Sequence, residues 1–109
     1  MTVYISNAFS LSMLTGPTTV KVLEAPIEGV KDIIKDGFVS VVGHDATAKI
    51  ISTQLGVQVP TNRISIQLKT GDVLVVFQLL KRLEEGKILS EDEMKQVAAK
   101  WYVCFVAPF

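Results

Sequence analysis

The sequence predicts an α/β domain: a mixed sheet of about five strands flanked by helices. Three observations carry this reading. Thr18 to Glu24 alternates and is rich in β-branched residues, as a strand is. Val73 to Leu80 is apolar on both faces, as a central strand is. Between these runs lie segments with helical spacing, Ile27, Val30, Ile33 and Ile34 behind Pro26, and Thr47, Ala48, Ile51 and Leu55 ahead of Gly56. The 109 residues suit a single domain, 1–109. A chain of this size buries roughly two-thirds of its unfolded surface and needs no staples.

The elements follow in order. Val3 to Ser6 reads as a short strand ending at Asn7, and Ser10 to Leu14 as a turn or short helix stopped by Thr15-Gly16-Pro17. Thr18 to Glu24 is the second strand. Pro26 suits the first turn of a helix that places Lys31 and Lys35 opposite its apolar face and ends or breaks at Gly37. Phe38 to Val42 is ambiguous, with strand-preferring residues set between helical patterns. A helix then runs from about Asp45 to Leu55, with Gly56 as its stop. Ile64, Ile66 and Leu68 alternate with polar residues, which predicts a half-buried strand. Thr70-Gly71-Asp72 turns the chain into the central strand. Ser90 with Glu93 forms a capping-box signal for a helix to about Lys100, and Trp101 to Ala107 is the last strand.

Composition narrows the function classes. Nearly half the residues are apolar (49%), yet the longest clean apolar stretches fall far short of the ~18 residues of a membrane span. The surplus suits a core plus a subunit interface. No basic residue precedes Lys21, so a signal peptide is not expected. One cysteine, Cys104, excludes an intrachain disulfide. Eleven Lys and Arg balance eleven Asp and Glu, which argues against a duplex nucleic-acid binder but not against a small anionic ligand. One histidine and one cysteine cannot build the usual four-ligand zinc site. A Gly-rich phosphate loop with its Lys and a Gly-x-Ser-x-Gly elbow are both missing, so the sequence points to no metal and no cofactor.

Four constellations carry chemistry. His44 stands in Val42-Gly43-His44-Asp45-Ala46-Thr47, where an apolar run gives way to a helix. A helix start presents unpaired N–H groups and partial positive charge to an anion, and a histidine there trades a proton near neutrality. The plainer reading makes His44 or Asp45 a cap. Gln78 interrupts the central strand; buried, it needs a partner, either a backbone group or a bound base or sugar. Lys81-Arg82-Leu83-Glu84-Glu85-Gly86-Lys87 reads as a solvated turn, or as the wall of a crevice in which an Arg grips a phosphate and a Glu orients it. Asn7-Ala8-Phe9-Ser10 reads as a turn, or as a hydrogen-bonding edge of the same crevice.

Tyr4 to Ser10, Gly43 to Thr47 and Arg82 to Leu89, taken in this order and spacing, resemble one family. It is the small viral ring nucleases, the type III anti-CRISPR proteins of viruses of hot-spring archaea. The resemblance spans Tyr4 to about Leu89; Trp101 to Phe109 carries none of its motifs. It implies a homodimer in the host cytoplasm that degrades cyclic tetra-adenylate without a metal and so silences type III CRISPR defence. A ribose 2′-hydroxyl would attack its own 3′-phosphate and expel the next 5′-oxygen, leaving linear di-adenylate with a 2′,3′-cyclic phosphate. His44 matches the family's general acid, Arg82 its phosphate-binding arginine, and Glu85 an acidic residue that would orient Arg82 or tune His44. Asn7, Ser10, Gly43, Thr47, Arg63 and Gln78 would hold bases, riboses and phosphates. Ser12 and Ala46 depart from side chains the family can carry there, which puts single ligand bonds in question. Two other classes compete: a protein that sequesters the nucleotide uncut, and a viral regulator that binds DNA or protein.

Overall fold

The structure is a computed structural model and describes residues 1–83 and 86–109. Its strands are β1 (Val3–Ser6), β2 (Thr18–Glu24), β3 (Val39–Ser40), β4 (Val73–Leu79) and β5 (Ala99–Pro108). Its helices are α1 (Ile27–Ile34), α2 (Asp45–Leu55) and α3 (Glu91–Lys95), with a 3-10 turn at Leu11–Met13. The strands form one five-stranded mixed sheet in the order β2-β5-β4-β1-β3. β1 runs parallel to both β3 and β4, while β5 runs antiparallel to β4 and β2. β1, β3 and β4 therefore end at the same edge of the sheet, and the loops that leave them share that edge.

Alternation along β4 divides the core. Val73, Val75 and Phe77 face the helices with Ile5, Trp101 and Val103; there they meet Val30 and Ile34 of α1 and Ile50, Ile51 and Leu55 of α2. Phe77 and Trp101 pack as a tilted aromatic pair, ring centroids 4.8 Å apart. Leu74 and Val76 face the other way with Cys104 and Val106, and are covered by Met13, Leu14, Ile66 and Leu68. α2 is anchored by its stripe of buried apolar residues and closes at Gly56, whose left-handed backbone (φ 71°) suits glycine.

The sequence reading departs from the fold in four places. Ile64 to Leu68 forms no strand and pairs with none of the five described ones. It crosses the second face of the sheet, where Leu68 is buried and donates its N–H to the Met13 carbonyl (2.7 Å). Alternation reports a chain with one covered side, and here a sheet face supplies the cover. The fifth strand is instead β3, from the ambiguous segment, extended by a parallel bridge between Val42 and Thr61. α3 stops at Lys95, and β5 begins at Ala99 because Ala99 and Lys100 pair with Leu79 and Gln78. Gln78 is exposed near the end of β4, not buried, and its amide donates to the Leu79 carbonyl (3.2 Å).

Candidate functional site

His44 is the N-cap residue of α2. Its backbone is extended and its carbonyl accepts from the Ala48 N–H (2.9 Å), but its side chain makes no capping bond. The start of α2 thus keeps its polar N–H groups free of a side-chain cap, with the exposed imidazole beside them. An open cleft of about 510 Å³ lies against this end, lined by His44, Ala46, Thr47, Leu79, Lys81, Arg82 and neighbours. β4 delivers Lys81 and Arg82 here because its carboxyl end lies beside that of β1, which in turn pairs with β3, the strand leading to His44. Ligands in α/β sheets bind outside the carboxyl ends of parallel strands. An imidazole, a helix start and two cations on such an edge suit an anionic ligand.

A second hollow of about 360 Å³ shares Ala46 and Leu83 with this cleft and is lined further by Lys49, Lys87, Ile88 and Met94. Lys87 pairs with Glu93 (3.2 Å), which ties this segment to α3. The N–H of Ser90, then Lys87, hold the Glu93 carboxyl below the usual carboxylate range. Burial pushes the Cys104 thiol up, so its thiolate, the reactive form, is suppressed.

The structure brings His44, Thr47 and Arg82 to one cleft. Asn7, Gly43 and Arg63 meet one step behind it. The Gly43 N–H donates to Asn7 Oδ1 (3.2 Å), and Arg63 Nε donates to the Gly43 carbonyl. Asn7 and Arg63 therefore fix the peptide before His44. A Cβ on Gly43 would meet only the Arg63 side chain, at 3.6 Å, so the glycine is not demanded by crowding. Ser10 lies apart: it caps the 3-10 turn and lines a separate hollow with Ser12, Ser65 and Gln67. Glu85 lies outside the described residues. Sequence reasoning missed Asn62, whose side chain and N–H both bind the strand leading to His44. Its signal was faint, a turn-type residue beside Arg63. Among the described residues, no group of three or more His, Cys, Asp or Glu could hold a metal ion, and no helix is long and apolar enough to cross a membrane.

A family model described as STIV B116-like matches residues 3–101. The chain belongs to the STIV B116-like family. B116 of Sulfolobus turreted icosahedral virus superposes with a TM-score of 0.83 at 30% identity, over 96% of this chain and 99% of that one. Uncharacterized protein 26 of Sulfolobus islandicus filamentous virus is 38% identical over 97 residues, covering 86% of this chain and 82% of its own length. ORF116 of Acidianus filamentous virus 1 is 31% identical over 96 residues, covering 86% and 83%. These B116-like relatives are proteins of archaeal viruses, and with B116 the shared fold extends over nearly the whole chain.

Proposed function

We propose that this B116-like protein is a ring nuclease: it opens cyclic tetra-adenylate without a metal and so removes the messenger of type III CRISPR defence in the host cytoplasm. The observation that carries the reading is the pairing of His44, at the uncapped start of α2, with Arg82 on one cleft. The motifs around Asn7, His44 and Arg82 support the choice of substrate.

In this mechanism the nucleophile belongs to the substrate. A ribose 2′-oxygen forms a bond to its own 3′-phosphorus, and its proton passes to solvent. The bond from phosphorus to the next 5′-oxygen breaks, and His44 delivers a proton to that oxygen. The phosphate keeps its charge as a 2′,3′-cyclic ester. Arg82 and the first N–H groups of α2 stabilise the charge that builds on the phosphoryl oxygens. Thr47 lines the same cleft from a largely buried position. Glu85 would orient Arg82. Two cuts at opposite phosphates convert the ring into two linear di-adenylates, and a homodimer would present one His44 to each phosphate across its two-fold axis.

Incubation with cyclic tetra-adenylate in the presence of a chelator tests this. The expected product is linear di-adenylate with a 2′,3′-cyclic phosphate, and Arg82→Ala slows its formation. Tight binding with an intact ring after long incubation makes the protein a sequestering one instead. A salt-dependent shift of duplex DNA with no effect on the ring points to a regulator.

A further inference from the structure

We propose that Asn62 is a positioning residue for His44, acting through the backbone of residues 40–43. The kinetic consequence rests on the reading of His44 as a general acid; the geometry does not. The His44 side chain does not cap its own helix, so the strand that delivers it sets its place. That strand lies on an edge of the sheet, and beyond it only the isolated bridge from Val42 to Thr61 continues the ladder. Asn62 supplies what a neighbour would. Its N–H donates to the Val42 carbonyl (2.7 Å), and its Nδ2 donates to the Ser40 carbonyl (2.8 Å). Carbonyls two residues apart point to the same side of a strand, so one residue satisfies two steps of the edge.

The flanking bonds complete a clasp. Ser40 Oγ donates to the Pro60 carbonyl and accepts from the Val42 N–H (3.3 Å). Arg63 holds the Gly43 carbonyl. On the inner side, the Val41 N–H reaches the Ile5 carbonyl (2.8 Å) and the Gly43 N–H reaches Asn7. The peptide groups from Ser40 to Gly43 are thus pinned on both sides up to the residue before His44. A general acid must come within about 2.6–3.2 Å of the oxygen it protonates, and a misplacement of about 1 Å costs on the order of a hundredfold in rate. Asparagine suits this place because it donates from a neutral side chain. A carboxylate at the same position only accepts and would repel the Ser40 carbonyl.

Asn62→Asp tests the clasp, with Asn62→Ala as the second variant if the aspartate does not fold. Hydrogen exchange at the Val42 and Gly43 amides is the readout that needs no activity. Faster exchange there, with the Ile50 and Ile51 amides unchanged, is expected; exchange equal to wild type overturns the proposal. In single-turnover assays on cyclic tetra-adenylate, the variant should lose about ten- to a hundredfold in rate with its Kd unchanged. The same substitution made in His44→Ala should cost nothing further, because non-additivity marks residues acting through one another. An equal loss in both backgrounds, or a loss expressed in Kd alone, overturns the proposal. Wild-type protein that leaves the ring intact defeats the reading of function, and amide exchange then decides the clasp alone.

Discussion

The two helices that follow β3 and β4 begin in opposite ways. α3 has five residues, none of them buried, and is closed by a complete capping box. Ser90 Oγ accepts from the Glu93 N–H (3.2 Å) and Glu93 accepts from the Ser90 N–H (3.0 Å). α2 has eleven residues, buries Thr47, Ala48, Ile50, Ile51 and Leu55, and starts at His44 with no side-chain cap. A short helix with no buried residue needs its end satisfied locally, since isolated helices are marginal. A helix held by a buried stripe can leave its end open. Packing along α2 is what lets its first turn, and His44, stay without a side-chain cap.

The largest effect separates the end from the body of α2. His44→Ala should lower the rate of ring opening by about a hundred- to ten-thousand-fold, while its thermal midpoint stays near that of wild type because no capping bond is lost. Ile50→Ala should do the reverse, lowering unfolding free energy in denaturant by about 2–5 kcal/mol. A stable His44→Ala and an equally stable Ile50→Ala together would break the account of how α2 is held.

The caps give a smaller, paired test. Ser90→Ala should destabilise by about 1 kcal/mol, with ring opening unchanged. His44→Ser introduces a preferred cap residue at the open end, and should stabilise by up to about 1 kcal/mol while abolishing proton donation. A more stable, inactive His44→Ser protein is the signature of an end kept open for function. If the serine variant is instead less stable, the imidazole supports the fold in its own right.

The smallest effect is on pH. The Glu93 carboxyl titrates below its ordinary value in the folded chain, chiefly through the Ser90 N–H and then Lys87. Its contribution is therefore full above the unfolded value and is lost as pH falls through the folded one. Melting curves from neutral pH down to strong acid should show this loss in wild type and less of it in Glu93→Gln.

These contrasts also explain what the sequence made legible. β1, β2, β4, α1 and α2 were readable because alternation, helical spacing and the Gly56 stop all agree with the tertiary environment. The capping box of α3 was readable too, but not its length, since pairing of Ala99 and Lys100 with β4 overrode helical propensity. Ile64 to Leu68 shows that alternation identifies a covered side without naming the cover. For the site, the family resemblance put His44 and Arg82 together, and the shared edge of parallel strands is the physical reason they meet. The supporting role of Asn7, Asn62 and Arg63 was not legible, because it depends on hydrogen bonds to backbone groups that no side-chain pattern encodes.

The central claim, that the open end of α2 is a catalytic end, meets its most direct test in one assay. Wild type and His44→Ala are incubated side by side with cyclic tetra-adenylate and a chelator, and the products are resolved over time. The account predicts linear di-adenylate with a 2′,3′-cyclic phosphate from wild type and almost none from the variant. An intact ring with wild type, or equal cleavage by both, would contradict it.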